Sequence, residues 1–183
     1  MQGRQSKLTI NMGLMGAITK TVFFAVPVSA TFFDLFGTVV AVEGVSMQPA
    51  LNPEDNGKLN TDYVFLNRWS ANGLQFQRGE IVSLVSPSNP SQRYIKRIVA
   101  LEGDTIKTLS YKHKLVLVPS GHCWVEGDHH GRSVDSNFFG PISMGMITGK
   151  ARYIVWPPHR WGRLEVQEPD SDRVYQSRAC FCD

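Results

Sequence analysis

The stretch Tyr94-Ile-Lys-Arg-Ile-Val-Ala-Leu101 decides how the rest of the chain is read. It is one of a series of short β-rich runs punctuated by turn clusters, so it is predicted as a strand. Alternation puts Tyr94, Lys96, Ile98 and Ala100 on one face and Ile95, Arg97, Val99 and Leu101 on the other. Two cations therefore stand mid-strand, pointing opposite ways among apolar neighbours. An ammonium buried without a counter-charge favours its neutral form, and its pKa falls until the amine can act as a general base. An edge strand carrying a gatekeeper lysine is the other reading of this window, and the window alone leaves both open.

Outward from this strand the same grammar repeats. Short β-rich runs at 39–42, 63–66, 81–85, 115–118, 123–126 and 153–156 are separated by turn clusters such as Asn52-Pro-Glu-Asp-Asn-Gly57 and Ser86-Pro-Ser-Asn-Pro-Ser91. The predicted fold is mainly β, an antiparallel sandwich or partial barrel. No internal repeat or low-complexity tract interrupts it. Residues 165–183 are polar and aperiodic and are predicted as a mobile tail.

The 183 residues exceed what one domain usually needs, which suggests one domain plus an appendage. Composition close to globular averages excludes wholesale disorder. A net charge of +3 without a basic cluster argues against a nucleic-acid partner. Three cysteines, Cys123, Cys180 and Cys182, are too few for a disulfide framework.

The appendage is the N-terminus. Residues 1–33 hold Arg4, Lys7 and Lys20 and no acid, and residues 21–33 are strongly apolar. Those 13 residues would reach only about 20 Å as a helix, whereas Leu8 to Phe33 is long enough to cross the roughly 30 Å hydrocarbon core if Lys20 snorkels. A cleavable secretory signal, a retained membrane anchor and a buried core helix all fit this composition.

Two further windows carry candidate chemistry. In Val42-Glu-Gly-Val-Ser-Met-Gln-Pro49, Ser46 follows an apolar strand and precedes a proline that turns the chain. A G-x-S-x-G nucleophile elbow would need glycine where Gln48 stands, which excludes the α/β-hydrolase reading. An ordinary turn serine is the competing reading. The loop Glu126-Gly-Asp-His-His-Gly-Arg-Ser-Val-Asp-Ser-Asn-Phe-Phe-Gly-Pro141 is dense in polar side chains. Adjacent His129 and His130 suit a single metal ion poorly, and neither H-E-x-x-H nor paired C-x-x-C is present. A Ser46–His129–Asp135 triad and a Ser46–Lys96 dyad both survive residue counting.

Taken together and in order, these windows resemble the boxes of the type I signal peptidases, membrane-bound Ser/Lys proteases. Ser46-Met-Gln-Pro49 resembles the nucleophile box, Arg78-Gly-Glu-Ile-Val-Ser83 the intervening strand motif, and Lys96-Arg-Ile-Val-Ala-Leu-Glu-Gly-Asp104 the lysine box. Gly127-Asp128, Ser133-Val-Asp-Ser136 and Gly140-Pro141 resemble the final box. The wording Gly127-Asp-His-His-Gly131, Trp156-Pro-Pro158 and Arg160-Trp161 is similar to the mitochondrial branch of the family.

The resemblance implies Ser46 as nucleophile, Lys96 as neutral general base, Ser133 orienting the lysine amine, and Asp135 as the acid behind it, with Arg97 as the expected partner of Asp135. Gly44 stands where some members offer a serine hydroxyl, so a second oxyanion donor there would be main chain. His129 and His130 replace an Asn-Arg pair, and Asn137 replaces a frequent arginine. The resemblance further implies an anchor segment over 1–36, a protease domain over 37–165 and a tail over 166–183. It implies no cofactor and no metal. It places the chain in the mitochondrial inner membrane as a single-pass protein, its catalytic domain in the intermembrane space. There it would pair with a homologous subunit and remove sorting peptides from precursors. A self-cleaving repressor-type protein and a noncatalytic domain that stabilises a partner protease are the alternatives; the apolar start speaks against the first, and the intact Ser46, Lys96 and Ser133 against the second.

Overall fold

The structure is a computed structural model that describes residues 12–55 and 58–176. The chain divides into two units at Leu35/Phe36. The first contains helix α1, Met12–Phe36, with Pro27 inside it. Thr31 Oγ1 donates to the Pro27 carbonyl at 2.8 Å, and Val22, Phe23, Phe24, Val26 and Val28 are exposed. At 25 residues α1 is about 37 Å long. Among the described residues no helix is long and apolar enough to cross a membrane, and the expected spanning helix finds no support there. Residues 8–11 of the expected span lie outside the described residues.

The second unit is the β unit. Its strands are β1 Gly37–Ala41, β2 Glu54–Asp55, β3 Lys58–Leu59, β4 Tyr63–Asn67, β5 Ile81–Val85, β6 Arg93–Ala100 and β7 Thr105–Lys107. There follow β8 Leu115–Leu117, β9 His122–Glu126, β10 Ile142–Ser143, β11 Ile147–Trp156, β12 Gly162–Arg163 and β13 Val174–Tyr175. Two short helices, α2 Trp69–Asn72 and α3 Ser136–Phe139, sit in connections.

The main sheet runs β1-β4-β11-β5-β6-β9-β10, with β12 beside β11, and every pairing is antiparallel. Register shifts punctuate β11 and the β6–β9 ladder, and extra residues of this kind bend and twist a strand. The sheet is therefore bent and twisted along these strands. A smaller sheet, β13-β7-β8, packs on β6 and β9 through Ile106 and Val174.

β6 lies in the interior of the main sheet, between β5 and β9, which removes the edge-strand reading of its lysine. Three apolar clusters hold the sheet. Val82, Leu84, Ile98, Cys123, Val125 and Ile142 form one; Met47, Leu51, Val64, Leu66, Ile81 and Ile154 a second; Val99, Ala100, Ile106, Trp124 and Val174 a third. Each fully buried branched or aromatic side chain contributes about 1.5–3 kcal/mol. Ile98 and Val99 belong to different clusters, and the shift between Ile98 and Ala100 in the β6–β9 register ends simple alternation there.

The last stretch departs from expectation. Val174 is buried against Trp124 and Ile106, and β13 pairs with β7, so residues 165–176 are built into the fold and are no loose tail. Cys180 and Cys182 lie outside the described residues; Cys123 is a buried free thiol, and burial pushes it up to about 12.

Candidate active site

The loop that follows β1 carries Ser46. Its anchor is the neighbouring side chains Met47 and Leu51, both buried in the second cluster, while Gln48 N–H to Val45 O (3.1 Å) and Leu51 N–H to Met47 O (2.9 Å) close the turn. A polar clasp fixes the turn from below. Asn52 Nδ2 donates to the Val42 and Gly44 carbonyls at 2.7 and 3.0 Å, and the Asn52 and Asp62 side chains exchange hydrogen bonds with each other's backbone N–H at 2.8 Å. Arg160 caps the clasp, donating to Ala50 O at 2.9 Å and standing 3.3 Å from the Asp62 carboxylate. Gly44 has φ +89°, a left-handed conformation that favours glycine, with open space where a Cβ would project.

Lys96, on β6, is 3% exposed, and its Nζ lies 2.8 Å from Ser46 Oγ. Burial lowers its pKa to about 8, against the opposing pull of the Asp135 and Asp128 carboxylates. Desolvation penalises the charged form, and no carboxylate touches the amine to offset it. A neutral amine so placed can accept the serine proton, which is what nucleophilic catalysis by a hydroxyl requires.

Behind this pair sits the loop after β9. Arg97 grips Asp128 with two hydrogen bonds, 2.8 and 2.7 Å, and donates to the Gly79 and Glu165 carbonyls. This corrects the expected Arg97–Asp135 pair. Asp135 instead accepts from Gly127 N–H and from the backbone and side chain of Asn137, capping α3. With its carboxylate so engaged, Asp135 makes no hydrogen bond to His129, and the triad geometry is absent. His129 contributes its backbone, N–H to Ser46 O at 3.1 Å. Ser133 Oγ is buried without a hydrogen-bond partner, so the expected bond to the Lys96 amine is not formed either. It does lie beside the nucleophile: a Cβ on Gly127 would collide with Ser133 Oγ and with the Ser46 carbonyl.

Ser46 and Lys96 open into a cleft of about 300 Å³, walled by Val40, Val42, Met47, Leu66 and Ile95. Larger hollows elsewhere on the molecule contain neither residue. The model of the family described as signal peptidase, peptidase S26, matches residues 15–117 and 107–156. The chain belongs to the signal peptidase family. It is similar to mitochondrial inner membrane protease subunit 2 of Danio rerio, 54% identical over 151 residues that cover 82% of this chain and 81% of the relative. The subunit 2 of Mus musculus is 56% identical over 153 residues, 84% of this chain and 86% of the relative. Mitochondrial inner membrane protease subunit 1 of Homo sapiens is 38% identical over 137 residues, covering 73% and 78%.

As a signal-peptidase-type peptidase, the chain has supports that the sequence did not announce. Asn52 and Asp62 sit in ordinary turn vocabulary, and only their reciprocal hydrogen bonds show that they brace the Ser46 turn. Asn137, at a position where arginine is frequent, bridges Glu126 Oε1 (2.9 Å), Asp135 Oδ1 (3.2 Å) and Leu109 N–H (2.9 Å). A short amide thus ties the loop to the end of β9 and to the connection after β7 without a charge.

Proposed function

We propose that this chain is a Ser/Lys endopeptidase of the mitochondrial inner membrane that removes sorting peptides from precursors delivered to the intermembrane space. The observation that carries the reading is the Lys96 Nζ–Ser46 Oγ hydrogen bond in a site dry enough to lower the amine pKa to about 8. A substrate segment lies extended in the cleft beside β1, which is paired on one side only, with small side chains on its shallow apolar walls. Lys96 takes the Ser46 proton as Oγ attacks the scissile carbonyl. The Ser46 N–H donates to the oxyanion, and main chain near Gly44 supplies any second donor. Lys96 then protonates the leaving amine, and water, deprotonated by the same lysine, releases the acyl group. Arg97, Asp128 and Asp135 hold the loop that backs the nucleophile, and in this reading Ser133 orients the Lys96 amine when substrate is bound.

The N-terminal unit, 1–36 in this reading, holds the peptidase at the membrane as a single-pass anchor, with the catalytic domain over 37–165 in the intermembrane space. The exposed Val22, Phe23, Phe24, Val26 and Val28 of α1 support contact with lipid. The names of the relatives support the inner-membrane location, and similarity to subunit 1 supports a heterodimer of two homologous subunits.

The test is processing of a sorting-peptide precursor by membranes carrying wild-type, Ser46→Ala or Lys96→Ala protein, with subunit 1 followed in the same samples. Both substitutions should abolish cleavage while subunit 1 persists. Cleavage that survives both would make this chain a scaffold for its partner.

A further inference from the structure

Glu126 ends β9 immediately before the loop that backs Ser46, and it is 2% exposed. Its carboxylate accepts from Trp124 Nε1 (2.9 Å), Asn137 Nδ2 (2.9 Å), Arg173 Nη1 (3.0 Å) and Arg173 Nη2 (2.8 Å). Two of these partners are neutral. His130 is 3.9 Å away and half exposed, so Arg173 is the charge that holds this buried anion. Burial alone would push the Glu126 carboxyl up; the Arg173 hydrogen bonds and charge, with Trp124 and Asn137, overcome it and hold the group below its ordinary value.

Arg173 arrives from beyond residue 156, where the family match ends. Its segment is fastened at both ends. Lys107 N–H donates to Arg173 O at 2.8 Å and Val174 is buried in the third cluster, while Glu165 O accepts from Arg97. Residues 165–174 therefore form a strap from Arg97 to Glu126. Between those anchor points lie Asp128, which grips Arg97, and His129, whose N–H holds the Ser46 carbonyl.

We infer that Arg173 is a positioning residue for peptide-bond cleavage: by fixing Glu126 it fixes residues 127–129, and through them the Ser46 turn against Lys96. Arg173 touches neither nucleophile nor base. Removing it leaves a buried carboxylate with no counter-charge beside the loop, and that carboxylate draws water or shifts its backbone. Displacements of about 1 Å in a catalytic constellation lower rates by up to about a hundredfold.

The inference rests on the Ser46/Lys96 reading, so Ser46→Ala runs in parallel. The assay uses the full-length chain with its partner subunit and a fluorogenic peptide spanning a sorting-peptide cleavage site, below the melting temperature of every variant. Arg173→Ala should lower kcat about tenfold with KM within about twofold, and Arg173→Lys should recover most of the loss. Trp124, the tryptophan at 0% exposure, should lose its blue-edge emission in Arg173→Ala as its carboxylate partner moves, whereas Trp69, Trp156 and Trp161 are already exposed. If Arg173→Ala does not fold, Arg173→Gln, which keeps a donor and drops the charge, carries the same test. Wild-type kcat in a folded variant, a loss confined to KM, or a loss that only tracks the unfolded fraction overturns the inference. If Ser46→Ala cleaves normally, the dyad reading itself has failed.

Discussion

Lys96 offers the sharpest physical test of the site, because its burial affects rate and stability through one quantity. Burial takes its pKa from 10.5 to about 8. At pH 7 an ordinary lysine is neutral in about one molecule in 3,000, and one at 8 in about one in ten, so burial raises the competent fraction about 300-fold. The same shift is a cost to the folded state. The folded protein binds fewer protons than the unfolded chain between about pH 8 and 10.5, so this contribution to stability improves as pH rises through that window. Below pH 8 the penalty is full, on the order of 3 kcal/mol.

Lys96→Met removes the penalty and loses a hydrogen bond to Ser46 worth about 1 kcal/mol. The variant should be inactive and, at pH 7, more stable than wild type by about 2 kcal/mol, with the advantage shrinking as pH approaches 10. The assays are kcat/KM against pH from 6 to 9.5 and urea unfolding of both proteins over the same range. The acid limb of kcat/KM should rise tenfold per pH unit and level near pH 8. An acid limb that keeps rising to pH 9.5, or a Lys96→Met variant destabilised equally at pH 7 and 9.5, would refute the reasoning.

Two further substitutions probe the elements that hold Ser46. Gly127→Ala places a methyl against Ser133 Oγ and the Ser46 carbonyl, so turnover of the fluorogenic peptide should fall by up to about a hundredfold, and urea unfolding should show a loss of about 1–3 kcal/mol. Asn52→Ala removes the acceptor of the buried Asp62 N–H and the donor to Val42 and Gly44; urea unfolding should show a loss of about 2–4 kcal/mol.

The parts of the site that the sequence made legible are those encoded in one short window. Two cations mid-strand among β-branched residues announce a buried β6, and a serine at a proline turn after an apolar strand announces Ser46. Pairings across the polar loop were not legible. Asp128 and Asp135 stand seven residues apart, and the extended Asp135 backbone, capping α3, turns its carboxylate to Gly127 N–H and Asn137 rather than to Arg97. The strap was hidden because one buried valine and one arginine among polar residues make no period. Strands of two or three residues, such as β7, β10 and β13, fall below any periodicity a window can detect. The long charge-poor segment near the N-terminus was legible as a helix, and α1 covers most of it.

The most direct measurement of the central claim is recovery of the covalent intermediate. Enzyme mixed with a sorting-peptide precursor, quenched in acid within one turnover and digested, is analysed by mass spectrometry for the peptide that contains Ser46. The account predicts that the amino-terminal product of the precursor is esterified to Ser46 in wild type, with no adduct in Ser46→Ala or Lys96→Ala. An adduct on the partner subunit alone, or cleavage without any adduct on Ser46, would contradict it.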